Sequence, residues 1–77
     1  MDIISERITI DDEICNGKPV VEGTRITVNT ILEFLSAGDS PDDIIKEYPS
    51  LTKEDISACL KFAAEISNRH FTLKKVA

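Results

Sequence analysis

"SPDDIIKEYPSLTKED", residues 40–55, decides the architecture of this chain, because two helix starts and a helix stop fall within it. Ser40 has the side chain of an N-cap, and Pro41 fills the first helical position, where a missing N–H costs nothing. Asp42 and Asp43 then sit in the first turn, next to the positive end of the helix dipole. Ile44, Ile45 and Tyr48 supply an apolar face, and Pro49 ends the helix. "SLTKED" repeats the formula, with Thr52 as cap and Asp55 at the third helical position. The new helix runs from about Lys53 to about Arg69. Between the two lies a tight link of about four residues centred on "PSLT".

Upstream, Val28, Ile31, Leu32 and Leu35 follow the i, i+3, i+4, i+7 rule, so another helix begins at a Thr27 cap and stops at Gly38. Three helices, short, short and long, with a tight turn before the long one, give the outline of a helix-turn-helix domain. Ahead of them the chain is extended and turning. "RITI", residues 7–10, places Ile8 and Ile10 on one side of a half-buried strand. Asn16-Gly17 signals a turn with positive φ, "PVV" (residues 19–21) is a short extended segment, and Glu22-Gly23 is a further turn. The expected fold is mainly α: a three-helix helix-turn-helix domain with a small N-terminal β element. It forms one domain over 1–77, with a β/turn element over 1–26, the trihelical unit over 27–70 and a short tail over 71–77.

Composition bounds the function. A chain of 77 residues buries only roughly 60–65% of its unfolded surface, which favours support from a second copy and predicts a homodimer. Cys15 and Cys59 form no CxxC pair, and the single histidine, His70, joins no ligand cluster, so two reduced, partly buried thiols are expected rather than a zinc site or a disulfide. Neither a signal peptide nor an apolar run of membrane-spanning length is present, which makes the cytoplasm the expected location. The net charge of −5, from 14 acids and 9 bases, argues against indiscriminate nucleic-acid binding but leaves room for a local basic stripe.

That stripe is sought on the third helix. At 100° per residue, Ile56, Cys59, Leu60, Ala63 and Ile66 form an apolar face expected to enter the core. Lys53, Ser57, Lys61, Ala64 and Asn68 form a neighbouring stripe without an acid, bordered by Glu54 and Glu65, with Asp55 on the far side. Lysine reaches phosphate or guanine, serine reaches either, and asparagine pairs with adenine, so Lys53, Ser57, Lys61 and Asn68 are the candidate DNA contacts. The competing reading is a solvated face carrying two ordinary lysines. Lys74 and Lys75 in the tail are either phosphate contacts or solvated.

Catalysis is not expected. The acidic runs are explained as turn and helix-start residues, no Ser/His or Cys/His arrangement stands out, and so small a chain has little room for a deep pocket. No small-molecule substrate, cofactor or metal is implied. "GKPVVEGTRITV", residues 17–28, is no phosphate loop: Lys18 follows the first glycine instead of the second, and Pro19 removes an amide donor. Gly17, Pro19 and Gly23 are read as turn residues. Arg25 has two readings, an ion pair with Asp11, Asp12 or Glu33, or a contact to a partner or to DNA phosphate.

Residues 16 to about 64 closely resemble the prokaryotic family known as domain of unknown function 433, related to VapB-type antitoxins. The matching residues are Gly17-x-Pro19-x-x-x-Gly23-Thr24-Arg25-Ile26, then Val28-x-x-Ile31-Leu32. Ala37-Gly38-x-Ser40-x-x-x-Ile44 and Tyr48-Pro49-x-Leu51-Thr52-x-x-Asp55-Ile56 follow. The resemblance implies a homeodomain-like or winged-helix-like helix-turn-helix fold. It also implies an antitoxin that covers a PIN-like nuclease toxin and represses its own operon. Since about eight residues follow the third helix, the β element is expected to take more of the toxin-binding role than a C-terminal tail. The alternative is a small dimeric protein-interaction module that does not bind DNA.

Overall fold

The computed structural model describes residues 2–69. A three-stranded antiparallel sheet of β1 (Asp2–Ser5), β2 (Ile8–Ile10) and β3 (Val20–Val21) leads into α1 (Val28–Ser36), α2 (Pro41–Glu47) and α3 (Lys53–Ser67). The strand order is β1-β2-β3. The fold is therefore mixed α/β, three helices against a small sheet, and not mainly α. The tail with Lys74 and Lys75, and His70, lie outside the described residues.

Each helix begins where its cap predicts. The Thr27 hydroxyl accepts the Thr30 N–H at 3.1 Å. Ser40 and Asp43 form a reciprocal capping box, at 2.9 and 3.2 Å. Thr52 and Asp55 form another with the same two distances. These bonds satisfy N–H groups that the first helical turn leaves without partners. α1 ends in a Schellman arrangement: Gly38 N–H donates to the Leu35 carbonyl at 3.1 Å and Asp39 N–H to the Phe34 carbonyl at 3.0 Å. Gly38 sits at φ +99°, a conformation that side-chain-bearing residues rarely adopt.

The sheet contains a strand that the residue pattern does not announce. β1 pairs with β2 in a hairpin whose two-residue connection is Glu6-Arg7, with Ser5 opposite Ile8 and a bulge between Ile3 and Ser5. Arg7 adopts φ +64°, at a cost of about 1–2 kcal/mol for an L-residue with a Cβ. β3 pairs with β2 through Ile8–Val21 and Thr9–Val20, so Ile8 and Val21 share one face and Thr9 and Val20 the other. All four are buried. The centre of β2 is thus covered on both faces, whereas simple alternation leaves Thr9 in solvent. Beyond β3 the chain turns back, and Val28 N–H donates to the Pro19 carbonyl at 3.0 Å, which joins the sheet to the start of α1.

The main core gathers Ile8, Val21, Val28, Ile31, Ile44, Leu51, Ile56, Ala58 and Cys59, with Leu32, Phe34, Leu35, Tyr48 and Phe62 packed around it. Here the expected face of α3 is corrected. Asp55, Ile56, Ala58 and Cys59 are its buried residues. Leu60 is 49% exposed and Ile66 38% exposed. Phe62, which is not part of that stripe, packs against the core. The buried face is turned by roughly 60° from the apolar stripe, judged at 100° per residue. A polar anchor lies on this face: Asp55 Oδ1 accepts from Arg7 Nη1 at 3.1 Å while Oδ2 accepts the Thr52 N–H, so burial of the Asp55 side leaves its carboxylate with partners. The last turns of α3 carry no buried residue, so Ile66 gains no core contact.

Candidate nucleic-acid interface

The α3 stripe is displayed as the sequence places it. Lys53, Ser57, Lys61 and Asn68 are all exposed. Lys53, Ser57 and Lys61 line one shallow depression of about 270 Å³, together with Ala58, Glu54 and the hairpin residue Glu6. Asn68 does not join them. It is the C-cap of α3, about 22 Å along the axis from Lys53 at 1.5 Å per residue.

Both lysines have carboxylate neighbours. Lys53 Nζ lies 3.5 Å from Asp42 Oδ1, with the two side chains 70% and 76% exposed. Lys61 Nζ lies 3.8 Å from Glu6 Oε2, with similar exposure. Pairs this open and this long are worth about 0–1 kcal/mol and are screened by salt, so a phosphate competes with them readily. Glu6, at the hairpin turn, is the feature of this surface that helical projection of α3 does not reach. Leu60, assigned to the apolar face by projection, is turned out of the core and is 49% exposed.

Arg25 is exposed and pairs with none of Asp11, Asp12 or Glu33 among the described residues, contrary to the ion-pair reading. Asp11 instead accepts the Glu13 N–H at 2.9 Å, and Glu33 accepts from Asn29 Nδ2 at 3.2 Å. The Arg25 carbonyl accepts the Cys15 thiol at 3.3 Å. With Thr9, Ile14, Val20 and Glu22, Arg25 lines a cavity of about 460 Å³ over the second face of the sheet. Gly17 and Gly23 take φ of +77° and +78°, as turn residues of this loop system, and Asn16 and Cys15 are also at positive φ. Pro19 precedes β3, as a residue without an N–H does at a strand start.

Chemistry elsewhere is quiet. Cys15 and Cys59 are both free thiols. Burial pushes the Cys59 thiol up to about 11, with the Asp55 charge adding to the effect. Among the described residues no three His, Cys, Asp or Glu side chains converge to hold a metal. None of the described helices is long and apolar enough to cross a membrane.

Comparison with known proteins gives a consistent family and no activity. The family described as "Protein of unknown function (DUF433)" matches residues 8–63, from β2 into α3. The Sinorhizobium fredii "Uncharacterized protein y4eO" is 37% identical over 51 residues, which is 66% of this chain and 23% of that protein. The crystal structure of a DUF433 member protein from Anabaena variabilis superposes with a TM-score of 0.73 at 30% identity, over 77% of this chain and 58% of that one. The chain thus spans less than two thirds of the length of either relative.

Proposed function

This chain belongs to the DUF433 family, and from that premise we propose that it is an antitoxin, a cytoplasmic homodimer that binds its own operator through α3 and holds a nuclease-like toxin. It acts by binding and not by catalysis. The observation that carries the DNA half is the pairing of a short helix, a tight turn and a longer helix with an outer stripe of Lys53, Ser57, Lys61 and Asn68, all exposed, with Glu54 and the hairpin's Glu6 at its border. In the helix-turn-helix arrangement the second helix presents such a stripe to the major groove while the first crosses the backbone. The two lysines exchange their loose pairs with Asp42 and Glu6 for phosphates, and Ser57 and Asn68 reach base edges. Two copies are needed, because one stripe with two lysines makes few phosphate contacts. The toxin half rests on the resemblance to VapB-type antitoxins.

A second reading has an observation of its own. Leu60, half exposed, and Ile66 present apolar surface on α3, which suits a protein contact better than a phosphate backbone. In that reading the chain is a dimeric interaction module without a DNA role. A mobility-shift titration with the DNA upstream of its own gene, with and without toxin, separates the two. Under the first reading the wild type shifts the fragment and Lys53→Glu with Lys61→Glu abolishes the shift while toxin binding persists. No shift by the wild type at low salt refutes DNA binding and leaves the interaction module.

A further inference from the structure

On the side of the molecule formed by the end of α1 and the end of α2 is a cavity of about 390 Å³, lined by Thr30, Glu33, Phe34, Ala37, Asp39 and Tyr48. The charged and dipolar groups there share one electrostatic sign. Glu33 and Asp39 both contribute carboxylates. Asp39 is half-buried and makes no hydrogen bond or ion pair through its side chain with the described residues, unlike Asp42, Asp43 and Asp55. Ala37 is the C-cap of α1, where the helix dipole is negative, and the last turn of α1 carries no basic residue. The sequence offers no base between Arg25 and Lys46. Finally, Phe34 and Tyr48 stand edge to face, with centroids 6.0 Å apart and planes at 69°, so the wall presents aromatic surface beside the carboxylates.

We infer that this cavity is the docking site for an arginine side chain of a basic protein partner. Each feature fits a guanidinium. Carboxylates accept its N–H groups, often two at a time, the helix C-terminus favours positive charge, and aromatic surface accepts the flat cation by stacking. A lysine ammonium fits less well, since it is a strongly hydrated point charge without a planar face. The volume lies at the low end for binding pockets, the size of one inserted side chain and not of an extended ligand. The inference deepens the partner half of the proposed function and rests on it for the identity of the partner. It also places the partner on α1 and α2, away from the Lys53–Lys61 stripe, so one chain can hold DNA and protein together.

Tyr48 makes a direct test possible, because it is the only tyrosine and the chain has no tryptophan. The intact chain is titrated with a hexa-arginine peptide while tyrosine fluorescence is followed. The expected result is a saturable change, with apparent Kd raised at least about tenfold in Glu33→Gln with Asp39→Asn, the equivalent of about 1.4 kcal/mol. The control pair Asp12→Asn with Glu13→Gln removes the same charge elsewhere and should change Kd less than about twofold. Equal weakening by both pairs would make the attraction a property of net charge and overturn the site. Equal binding of hexa-lysine would overturn the assignment to arginine. Circular dichroism on each variant excludes unfolding as the cause. Operator binding, read separately by mobility shift, should be unchanged in Glu33→Gln with Asp39→Asn. Peptide binding without operator binding by the wild type would refute the DNA half of the function and leave the docking site standing.

Discussion

Replacing Asp55 with alanine removes three interactions that converge on one carboxylate, and their sizes follow from the geometry. Oδ2 accepts the Thr52 N–H at 2.9 Å, the returning half of a capping box, worth about 0.5–1 kcal/mol. The negative charge in the first turn of α3 contributes about 0.5 kcal/mol against the helix dipole. Oδ1 takes the Arg7 guanidinium at 3.1 Å. The Asp55 side chain is 11% exposed and the Arg7 side chain 43%, so this bond is discounted for solvent to about 1 kcal/mol. The loss should total about 2–2.5 kcal/mol, which lowers Tm by roughly 10–20 °C in a domain of this size. Arg7→Ala loses the ion pair alone and should cost about 1 kcal/mol. Arg7→Gly loses the same pair but relieves the φ of +64°, so it should fall close to the wild type. Thermal and urea unfolding followed by far-UV circular dichroism measure all three. The reasoning is refuted by an Asp55→Ala protein within about 0.5 kcal/mol of the wild type, or by Arg7→Gly proving less stable than Arg7→Ala.

Cys59 is buried and its thiol is pushed up to about 11, so at pH 8 a thiol reagent should modify Cys15 and reach Cys59 only after unfolding; two rapid equivalents per chain would contradict the packing. The Asp43 carboxyl is held below its ordinary value first by the Ser40 backbone N–H and then by the Ser40 side chain. A depressed carboxyl stabilises the fold above the ordinary aspartate range, and that contribution is lost as pH falls through the lowered value. Ser40→Ala should therefore move the Asp43 titration, read by carbon NMR, only part of the way back, and a full return would show the backbone bond to be unimportant. Gly23→Ala meets no atom within 4 Å of the added Cβ but keeps φ near +78°, so it should cost only the backbone term of about 1–2 kcal/mol in chemical unfolding. A much larger loss would mean a clash that this loop does not contain.

The helical half of the fold was legible in the sequence because its signals are local. Thr27, Ser40 and Thr52 cap the helices they precede, Pro41 begins α2, and Gly38 closes α1, each within a few residues of the structure it governs. The sheet was only half legible. "PVV" gave β3, but β1 escaped notice since Glu6-Arg7 has neither the glycine nor the asparagine that marks a two-residue hairpin. Arg7 takes the left-handed conformation without the residue type that advertises it. The orientation of α3 was legible only in part. Ile56 and Cys59 of the apolar stripe are buried, but Leu60 and Ile66 are exposed, and the contact of Asp55 with Arg7, 48 residues away, has no local signal. The candidate interface survives that rotation because Lys53, Ser57 and Lys61 stay outward under both orientations. Glu6 enters it only through tertiary structure. The residue pattern offers Arg25 three acidic partners, yet two of those acids are engaged by closer donors.

Salt dependence tests the central claim most directly. A fluorescent duplex from the upstream region, titrated with the protein at several salt concentrations and read by anisotropy, gives the number of phosphates neutralised. Lys53 and Lys61 from each copy of a dimer make four contacts, so log K should fall with log salt at a slope of about −3 to −4. Lys53→Ala with Lys61→Ala should bring the slope near zero while circular dichroism and toxin binding stay as in the wild type. A slope that the double substitution leaves unchanged would contradict the account, because the phosphates would then be held by some other part of the molecule.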